Sequence, residues 1–144
     1  MTESPPAVLP VVSTADKPER FVHLKVHSEF SLHDGIVTIK PLISAVAGAG
    51  MPAVALTDDS NLFGLVKFYK AALGRGLKPI LGCDVQVGQP DEEEAPYTLT
   101  LLALNPAGYA QRRRLLSRAW LEGQHQGRAT IRAEWLDDDS DGLI

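Results

Sequence analysis

The sequence predicts an α/β fold whose strands are mostly parallel. Strand-like segments alternate with amphipathic segments of helical period, in the order strand, helix, strand, helix, strand, strand, helix. The run PAVALTD is almost entirely apolar, which is typical of a strand covered on both faces of a sheet. Polar residues stand at or near the ends of three strands, at His27, Asp58 and Asp84. In α/β folds the carboxyl ends of the strands form the edge where functional sites are built.

The first half of the chain supplies two strands with a helix between them. Alternation and β-branched residues in FVHLKV, at 21–26, predict the first strand. TIKPLISAVAGAGM, at 38–51, predicts a helix that follows the N-cap Thr38 and ends at Gly50. PAVALTD, at 52–58, is the second strand. The buried face predicted for the helix consists of Leu42, Ile43, Val46 and Ala47.

The second half continues with the same kinds of element. NLFGLVKFYKAALGRG, at 61–76, predicts a second helix, and KPILGCDVQV and YTLTLLALN, at 78–87 and 97–105, predict two more strands. PAGYAQRRRLLSRAWLEG, at 106–123, predicts a third helix that starts at Pro106, and RAEWLDD predicts a short helical turn. The inward faces predicted for the second and third helices are, in turn, Leu62, Leu65, Val66, Tyr69 and Leu73, and Tyr109, Leu116 and Trp120.

Composition places the chain among globular proteins and excludes several classes of function. We expect a flexible lead over residues 1–19, rich in Pro, Ser and Thr, then one folded unit over residues 20–144. A net charge of −4 argues against a broad basic surface for nucleic acid, and the acidic run Asp91 to Glu94 predicts a solvated turn. Cys83 is the only cysteine, so no internal disulfide forms. No apolar run reaches the roughly 18 residues of a membrane helix, and we expect a cytoplasmic protein without a membrane partner.

The stretch FVHLKVHSEFSLHDG, at 21–35, is the strongest candidate for a metal-binding loop. On a strand His23, Lys25 and His27 project to the same side, because side chains alternate faces. An ammonium group between two imidazoles repels a divalent cation, so this row predicts a metal site that has lost one position. The alternative is that His23 is a buried strand residue and His33 a solvent-facing turn residue.

Three other features each allow two interpretations. Asp58 and Asp59 precede a helix whose N-cap is expected at Ser60 or Asn61, so they either interact with that helix terminus or serve a site. Asp84 lies in a mainly apolar strand, where a carboxylate must be paired or must coordinate an ion. The arginine run at 112–114 is either the wet face of a helix or a contact for nucleic acid or a partner.

Taken together, four stretches resemble the N-terminal polymerase-and-histidinol-phosphatase (PHP) domain of the alpha subunits of bacterial DNA polymerase III. They are FVHLKVHSEFSLHDG, MPAVALTDDSNLFGLVKFYKAA, GLKPILGCDVQV and LTLLALNPAGYAQRRRLLSRAWLEG, and they follow in the family's order over residues 21 to about 136. The resemblance implies a distorted (β/α)₇ barrel, of which residues 20–144 are the N-terminal portion. We therefore expect the domain to be incomplete at Ile144.

The resemblance also implies a degraded metal site. Where metal-binding members of the family have His-x-His, Thr-Asp-His, Cys-Glu and a histidine opening the fourth strand, this sequence has Lys25, Asp59, Asp84 and Thr98. The surviving candidate ligands are His27, Asp34, Asp59 and Asp84, and the lost positions are Lys25 and Thr98. This set predicts at most a weakly held Mg²⁺ or Mn²⁺, with Lys25 pairing with the remaining aspartates. No catalytic residue and no tightly bound cofactor is expected in this segment, and Mg²⁺ serves the parent polymerase.

The function that the resemblance implies is structural. The segment is expected to act as a scaffold within the polymerase alpha subunit and as a docking surface for the proofreading exonuclease subunit, while DNA is bound through the parent chain. A partial barrel leaves strand edges open, so the fragment is also expected to self-associate. The alternative is a residual metal-dependent phosphoesterase or 3′ to 5′ exonuclease that uses His27, Asp34, Asp59 and Asp84.

Overall fold

The computed structural model describes residues 21–88, 95–138 and 140–144. The predicted lead at 1–19 and the acidic run at 91–94 lie outside these ranges. The described helices are α1 (Ile39–Gly48), α2 (Leu65–Leu73), α3 (Pro106–Glu122) and α4 (Ala133–Asp138). The described strands are β1 (Ala53–Leu56), β2 (Lys78–Val87), β3 (Tyr97–Leu102), β4 (Gln124–His125) and β5 (Arg128–Ile131).

The strands form one sheet around the long strand β2. β1 pairs in parallel with the first half of β2, from Ala53 opposite Lys78 to Leu56 opposite Leu81. β5 pairs in parallel with the carboxyl end of β2, and β3 runs antiparallel along its second half. β4 and β5 form a short antiparallel hairpin that is not predicted from the sequence. The α/β class is therefore confirmed, with β1, β2 and β5 as its parallel strands.

The predicted first strand is only partly formed. Residues 21–26 run alongside β1 but make a single isolated bridge, between His23 and Val54. Ala55 N donates to His23 O at 2.8 Å, and Thr57 N donates to Val26 O at 2.9 Å. Val26 N donates instead to the side-chain Oγ1 of Thr57, at 2.9 Å. The Thr57 hydroxyl thus accepts a hydrogen bond that a backbone carbonyl accepts in a regular β-ladder, and residues 21–26 do not continue as a strand.

The hydrophobic core has two parts. One lies between α1, α2 and β1 and includes Ile39, Ile43, Val46, Val54, Phe68 and Ala72. The other lies between α3, α4 and the second half of the sheet and includes Val85, Val87, Leu101, Leu115, Leu116, Ile131 and Trp135. Within α1, Ile43 and Val46 are buried as predicted, while Leu42 and Ala47 are partly buried against the same cluster.

The predicted inward faces of α2 and α3 are wrong in part. α2 buries Leu65, Phe68 and Ala72, and leaves Val66, Tyr69 and Leu73 exposed. The buried and the exposed face of α2 both have apolar residues at helical spacing. The face that packs against the neighbouring elements is the one that contains the small side chain of Ala72. α3 buries Leu116 as predicted, but Trp120 is 47% exposed. The buried stripe of α3 is instead Gly108, Arg112, Leu115, Leu116 and Ala119.

Candidate functional site

Asp84, on β2, is the centre of the polar cluster at the sheet edge. Its side chain is fully buried and accepts three hydrogen bonds, from Lys25 Nζ at 2.8 Å, His27 Nε2 at 2.7 Å and Thr100 Oγ1 at 2.6 Å. His27 also contacts Asp34. These five residues, Lys25, His27, Asp34, Asp84 and Thr100, are called the rim cluster below. A buried carboxylate is stable only when it is paired, and Asp84 is paired on both of its oxygens.

His27 links two carboxylates and uses both ring nitrogens to do so. Its Nδ1 lies 2.9 Å from Asp34 Oδ2, and its Nε2 lies 2.7 Å from Asp84 Oδ2. Burial lowers the pKa of His27, but the hydrogen bonds to Asp84 and Asp34 and the charges of both carboxylates outweigh burial and raise the pKa above its ordinary value of 6.5. The cluster therefore favours an imidazolium that donates at both nitrogens, which has no lone pair for a metal ion.

Asp59 and Thr98, two further positions implied by the resemblance, meet at Gln86. Asp59 Oδ1 accepts from Ser60 Oγ at 3.0 Å and from Gln86 Nε2 at 3.4 Å. Thr98 Oγ1 donates to Gln86 Oε1 at 3.3 Å. No direct side-chain bond joins Asp59 to the rim cluster within the described ranges, although its backbone is bridged to that of Asp84. The structure thus places His27, Asp34 and Asp84 in direct contact and Asp59 beside them.

Asp58 has a structural role that neither sequence interpretation anticipates. It is 2% exposed and accepts from Ser28 N at 2.6 Å, from Ser28 Oγ at 2.8 Å and from Ser31 Oγ at 2.9 Å. Capping is the wrong interpretation for it, because α2 begins after the N-cap Gly64 and makes no side-chain cap bond there. The predicted N-cap at Ser60 or Asn61 is wrong for the same reason. Asp58 instead anchors the loop that carries Asp34.

The remaining candidates do not join the rim cluster. His23 is exposed and contacts Phe21 edge to face, with ring centroids 4.7 Å apart, so the prediction that it is buried is wrong. His33 is exposed, in agreement with its interpretation as a turn residue. Cys83 is fully buried, and its Sγ donates to Asp58 O at 3.2 Å. Burial raises the pKa of the Cys83 thiol to about 12, so it is a neutral packing group.

Gln86 and Thr100 are site residues that the sequence interpretation misses. A signal for them exists, because Asp84 and Gln86 are two apart on one strand and therefore lie on the same face. In the antiparallel register, Asp84 is opposite Thr100 and Gln86 is opposite Thr98. Asp84, Gln86, Thr98 and Thr100 thus place four polar side chains on the same face of the β2–β3 pair.

The side chains present do not fit a zinc ion or a multinuclear metal centre. The only imidazole in the rim cluster has both nitrogens bonded to carboxylates, and the ammonium of Lys25 occupies the space beside Asp84. In the ranges that the structure describes, no group of three or more His, Cys, Asp or Glu side chains is placed to hold a metal. Zinc sites need several free nitrogen or sulfur donors around one point.

Across residues 21–88, 95–138 and 140–144, no helix has the length and apolar character to span a membrane.

Comparisons with known proteins agree with the fold. The family model of the PHP domain matches residues 23–144. DNA polymerase III subunit alpha of Pseudomonas aeruginosa is 52% identical over 124 residues, which is 86% of this chain and 11% of that protein. The Vibrio cholerae and Escherichia coli K12 proteins of the same name are 45% and 44% identical, each over 87% of this chain and 11% of their own length. The chain thus spans about a ninth of the length of these relatives.

Two solved structures show the same kind of fold. One is an amidohydrolase from Chromobacterium violaceum with bound sulfate and no metal, which has a TM-score of 0.50 and 25% identity and covers 67% of this chain and 34% of that one. The other is a putative metal-dependent phosphoesterase from Bifidobacterium adolescentis, with a TM-score of 0.56 and 20% identity over 71% of this chain and 34% of that one. The second likeness concerns the fold alone.

Proposed function

The chain belongs to the PHP domain family, and on that premise we propose that it is the PHP module of a DNA polymerase III alpha subunit in which a lysine replaces the metal centre. The module is a non-catalytic scaffold and offers a docking surface for the proofreading exonuclease subunit. Its other partner is the remainder of the alpha subunit. DNA binding and Mg²⁺-dependent synthesis belong to that parent chain.

The observation that carries this proposal is the pairing of Lys25 with Asp84. Lys25 Nζ lies 2.8 Å from an oxygen of a carboxylate that is 1% exposed, and His27 donates to the same oxygen. A metal ion in such a site neutralises carboxylates and holds neighbouring loops together. Here two side chains do both, because Lys25 and His27 donate to Asp84 while His27 also binds Asp34, seven residues further along the same segment. The edge of the sheet is thereby held without an ion.

The direct test is metal analysis combined with thermal unfolding. The chain, purified without chelators, is expected to contain far less than one equivalent of any transition metal, and EDTA is expected to leave its Tm unchanged. A stoichiometric metal, or a Tm that EDTA lowers, would overturn the proposal. Manganese-dependent hydrolysis of a chromogenic phosphodiester that is lost in Asp84→Asn would favour the alternative, a residual phosphoesterase or exonuclease.

The Lys25→Met variant should lose stability even though Lys25 is half exposed. The substitution removes a charge-assisted hydrogen bond to a buried carboxylate, so we expect the free energy of unfolding to fall by about 1 to 2 kcal/mol. Urea unfolding followed by circular dichroism measures the change. Lys40→Met is the matched control, since Lys40 is an exposed residue of α1 and its substitution should change little. Equal effects of the two variants would mean that the Lys25 bond contributes nothing.

Restoring the family's histidines should create zinc affinity. In the triple variant Lys25→His, Asp59→His and Thr98→His, imidazoles replace a repulsive ammonium and two poorer donors, so zinc affinity should rise by at least about tenfold. Isothermal titration calorimetry with zinc measures this change against the parent chain. The single variant Lys40→His controls for an added surface imidazole. An unchanged affinity would show that these three positions do not correspond to the family's ligand positions.

A further inference from the structure

A groove between α3 and the loop that leads into α2 is not used by the rim cluster. It has a volume of about 420 Å³ and is lined by the partly buried Leu62, the buried Leu116, and the exposed Phe63, Trp120 and Leu121. It continues into a larger cavity of about 590 Å³, because the same four residues, Ser60, Asn61, Phe63 and Trp120, line both. The two cavities therefore adjoin, and their volumes are large enough for several side chains of a bound peptide.

The two walls of the groove are fixed to each other. Trp120 Nε1, on α3, donates to Ser60 O at 2.9 Å, and Ser60 N donates to Asp84 O at 2.8 Å. The indole is thereby held against the loop, and the loop against β2. A ligand that enters the groove does not have to order these walls, so little of its binding energy is lost to conformational entropy.

The apolar side chains around this groove are unusually exposed. Phe63 is 76% exposed, Leu121 is 84% exposed and Leu32, in the adjoining cavity, is 86% exposed. Single exposed apolar residues are ordinary, but several that border one groove are typical of an interaction site. Phe63 and Trp120 supply the aromatic surface that is enriched where proteins bind each other.

The three arginines of the run at 112–114 have different surroundings. Arg112 is buried, Arg113 lines the groove, and Arg114 donates to Gln111 at 2.7 Å on the exposed side of α3. Arg128 lines the adjoining cavity. Neither Arg113 nor Arg128 forms a salt bridge with any residue in the described parts of the chain, whereas Arg118 pairs with Glu122. Two arginines that form no ion pair within the described residues thus flank an apolar surface, and the cavity lined by Arg128 is also lined by the carboxylate of Asp59.

We propose that this groove binds an extended peptide of a protein partner that carries large apolar side chains and flanking carboxylates. The inference rests on the docking role in the proposed function and gives that role a location and a ligand chemistry. Apolar side chains fill the surface between Phe63 and Trp120, and carboxylates pair with Arg113 and Arg128. The many leucines in the lining favour a peptide over single-stranded nucleic acid, which relies on aromatic stacking within a continuous basic channel.

The test uses a synthetic probe and the natural reporter Trp120. The probe is a fluorescein-labelled peptide of leucine, phenylalanine and aspartate, compared with the same peptide in which lysine replaces aspartate. The chain has two tryptophans, and Trp135 is buried at 4% exposure, so a change in tryptophan emission on binding should be lost in Trp120→Phe. We expect the acidic peptide to bind at least about tenfold more tightly than the basic one.

Arg113→Glu and Arg114→Glu are the matched pair of variants. Both reverse one charge on adjacent exposed residues of α3, but only Arg113 lines the groove. We expect Arg113→Glu to weaken the acidic peptide about tenfold and Arg114→Glu to weaken it less than about twofold. Circular dichroism confirms that both variants fold. Equal losses in the two variants, or a peptide that binds without changing Trp120 emission, would overturn the inference.

Other occupants give distinct results. If oligodeoxythymidylate displaces the acidic peptide and binds more tightly than the peptide does, the groove is a nucleic-acid site and the inference is overturned. A dimer in sedimentation that Leu121→Asp dissociates would mean that a second copy of the chain covers the groove, and it would overturn the inference. Binding of a purified proofreading exonuclease subunit tests the docking role separately. If the exonuclease subunit binds the parent chain and Arg113→Glu equally well, the groove is not its binding site, and the docking role stands without the groove. If the exonuclease subunit does not bind while the acidic peptide does, the docking role fails and the groove remains a peptide site.

Discussion

Replacing Arg112 with leucine is expected to raise the free energy of unfolding of this chain by about 2 to 4 kcal/mol. The side chain is 0% exposed, and Nε, Nη1 and Nη2 have no hydrogen-bond partner within the described structure. Burial lowers the pKa of the guanidinium, yet an arginine does not lose its proton near neutral pH. Within the described residues, the guanidinium therefore carries the desolvation cost of a charge without a compensating ion pair or hydrogen bond.

The attraction that remains at Arg112 is too weak to offset that cost. Its Cζ lies 5.6 Å from the centre of the Tyr109 ring, and such a cation–π contact contributes about 0.5 to 2 kcal/mol. The effective penalty for burying an ion is several kcal/mol. Leucine is smaller than arginine, so part of the gain is lost to unfilled volume. The apolar neighbours Leu115 and Leu116 on the same face suit a leucine side chain.

Urea unfolding of Arg112→Leu and the parent chain measures the change in stability. Arg114→Leu is the matched control, because Arg114 is exposed and should change stability by less than about 0.5 kcal/mol. A similar m-value in all three proteins shows that the same surface is exposed on unfolding. A loss of stability in Arg112→Leu would contradict the prediction, because it would mean that the buried guanidinium stabilises the fold by more than its desolvation costs.

The burial of Arg112 could be predicted from the sequence, but only by placing the run at 112–114 on a helix. Successive residues of a helix are about 100° apart, so three adjacent arginines cannot all face the solvent when the next two residues are buried leucines. Arg112 is three and four residues before Leu115 and Leu116, and seven before Ala119, which places it on their face. Arg113 and Arg114 are exposed in the structure, whereas Arg112 is buried, so the wet-face interpretation is wrong for Arg112.

The choice between the two faces of α2 could not be made from the sequence. Leu65, Phe68 and Ala72 form one apolar stripe, and Val66, Tyr69 and Leu73 form another, displaced by a single residue. Helical periodicity fits the two stripes equally well. The stripe of Leu65, Phe68 and Ala72 is the buried one because α1 and the sheet pack against it. By contrast, β2 and α3 are predicted almost to their ends, because Gly76 precedes β2 and Pro106 starts α3. The N-cap of α3 is Asn105, which the sequence analysis assigns to the preceding strand.

The site was predictable in position more than in detail. The carboxyl ends of parallel strands meet at one edge, and the structure brings His27, Asp34 and Asp84 together there. The contacts of Asp58 were hidden, because its partners are serines 27 and 30 residues earlier in the chain and no local pattern links them. The adjacent carboxylates Asp58 and Asp59 look equivalent in the sequence, yet one is buried under a loop and the other lies beside a cavity.

That difference predicts unequal effects of two neighbouring substitutions. Asp58→Ala should lower the free energy of unfolding by about 3 kcal/mol or more, because it leaves the Ser28 amide and the Ser28 and Ser31 hydroxyls buried without their acceptor. Asp59→Ala, the matched control, removes bonds of 3.0 and 3.4 Å from a half-buried carboxylate and should cost about 1 kcal/mol or less. Urea unfolding of both variants gives the comparison.

Asp58→Ala should also disturb the rim cluster, because Asp58 anchors the loop that carries Asp34. Ser28 and Ser31 hold the segment that carries Asp34, and Gly35 N donates to Ser31 O at 2.7 Å within it. Without Asp58 that segment keeps only the bonds from Asp59 N to Ser31 Oγ and from Asn61 Nδ2 to Phe30 O, both at 3.0 Å, among its contacts with residues 58–61. Asp34 is then held less firmly against His27. In NMR spectra the His27 ring resonances should then shift in Asp58→Ala and stay in place in Asp59→Ala. Stability losses of equal size, with His27 unmoved in both, would mean that the loop is held by its other contacts and that Asp58 is not its anchor.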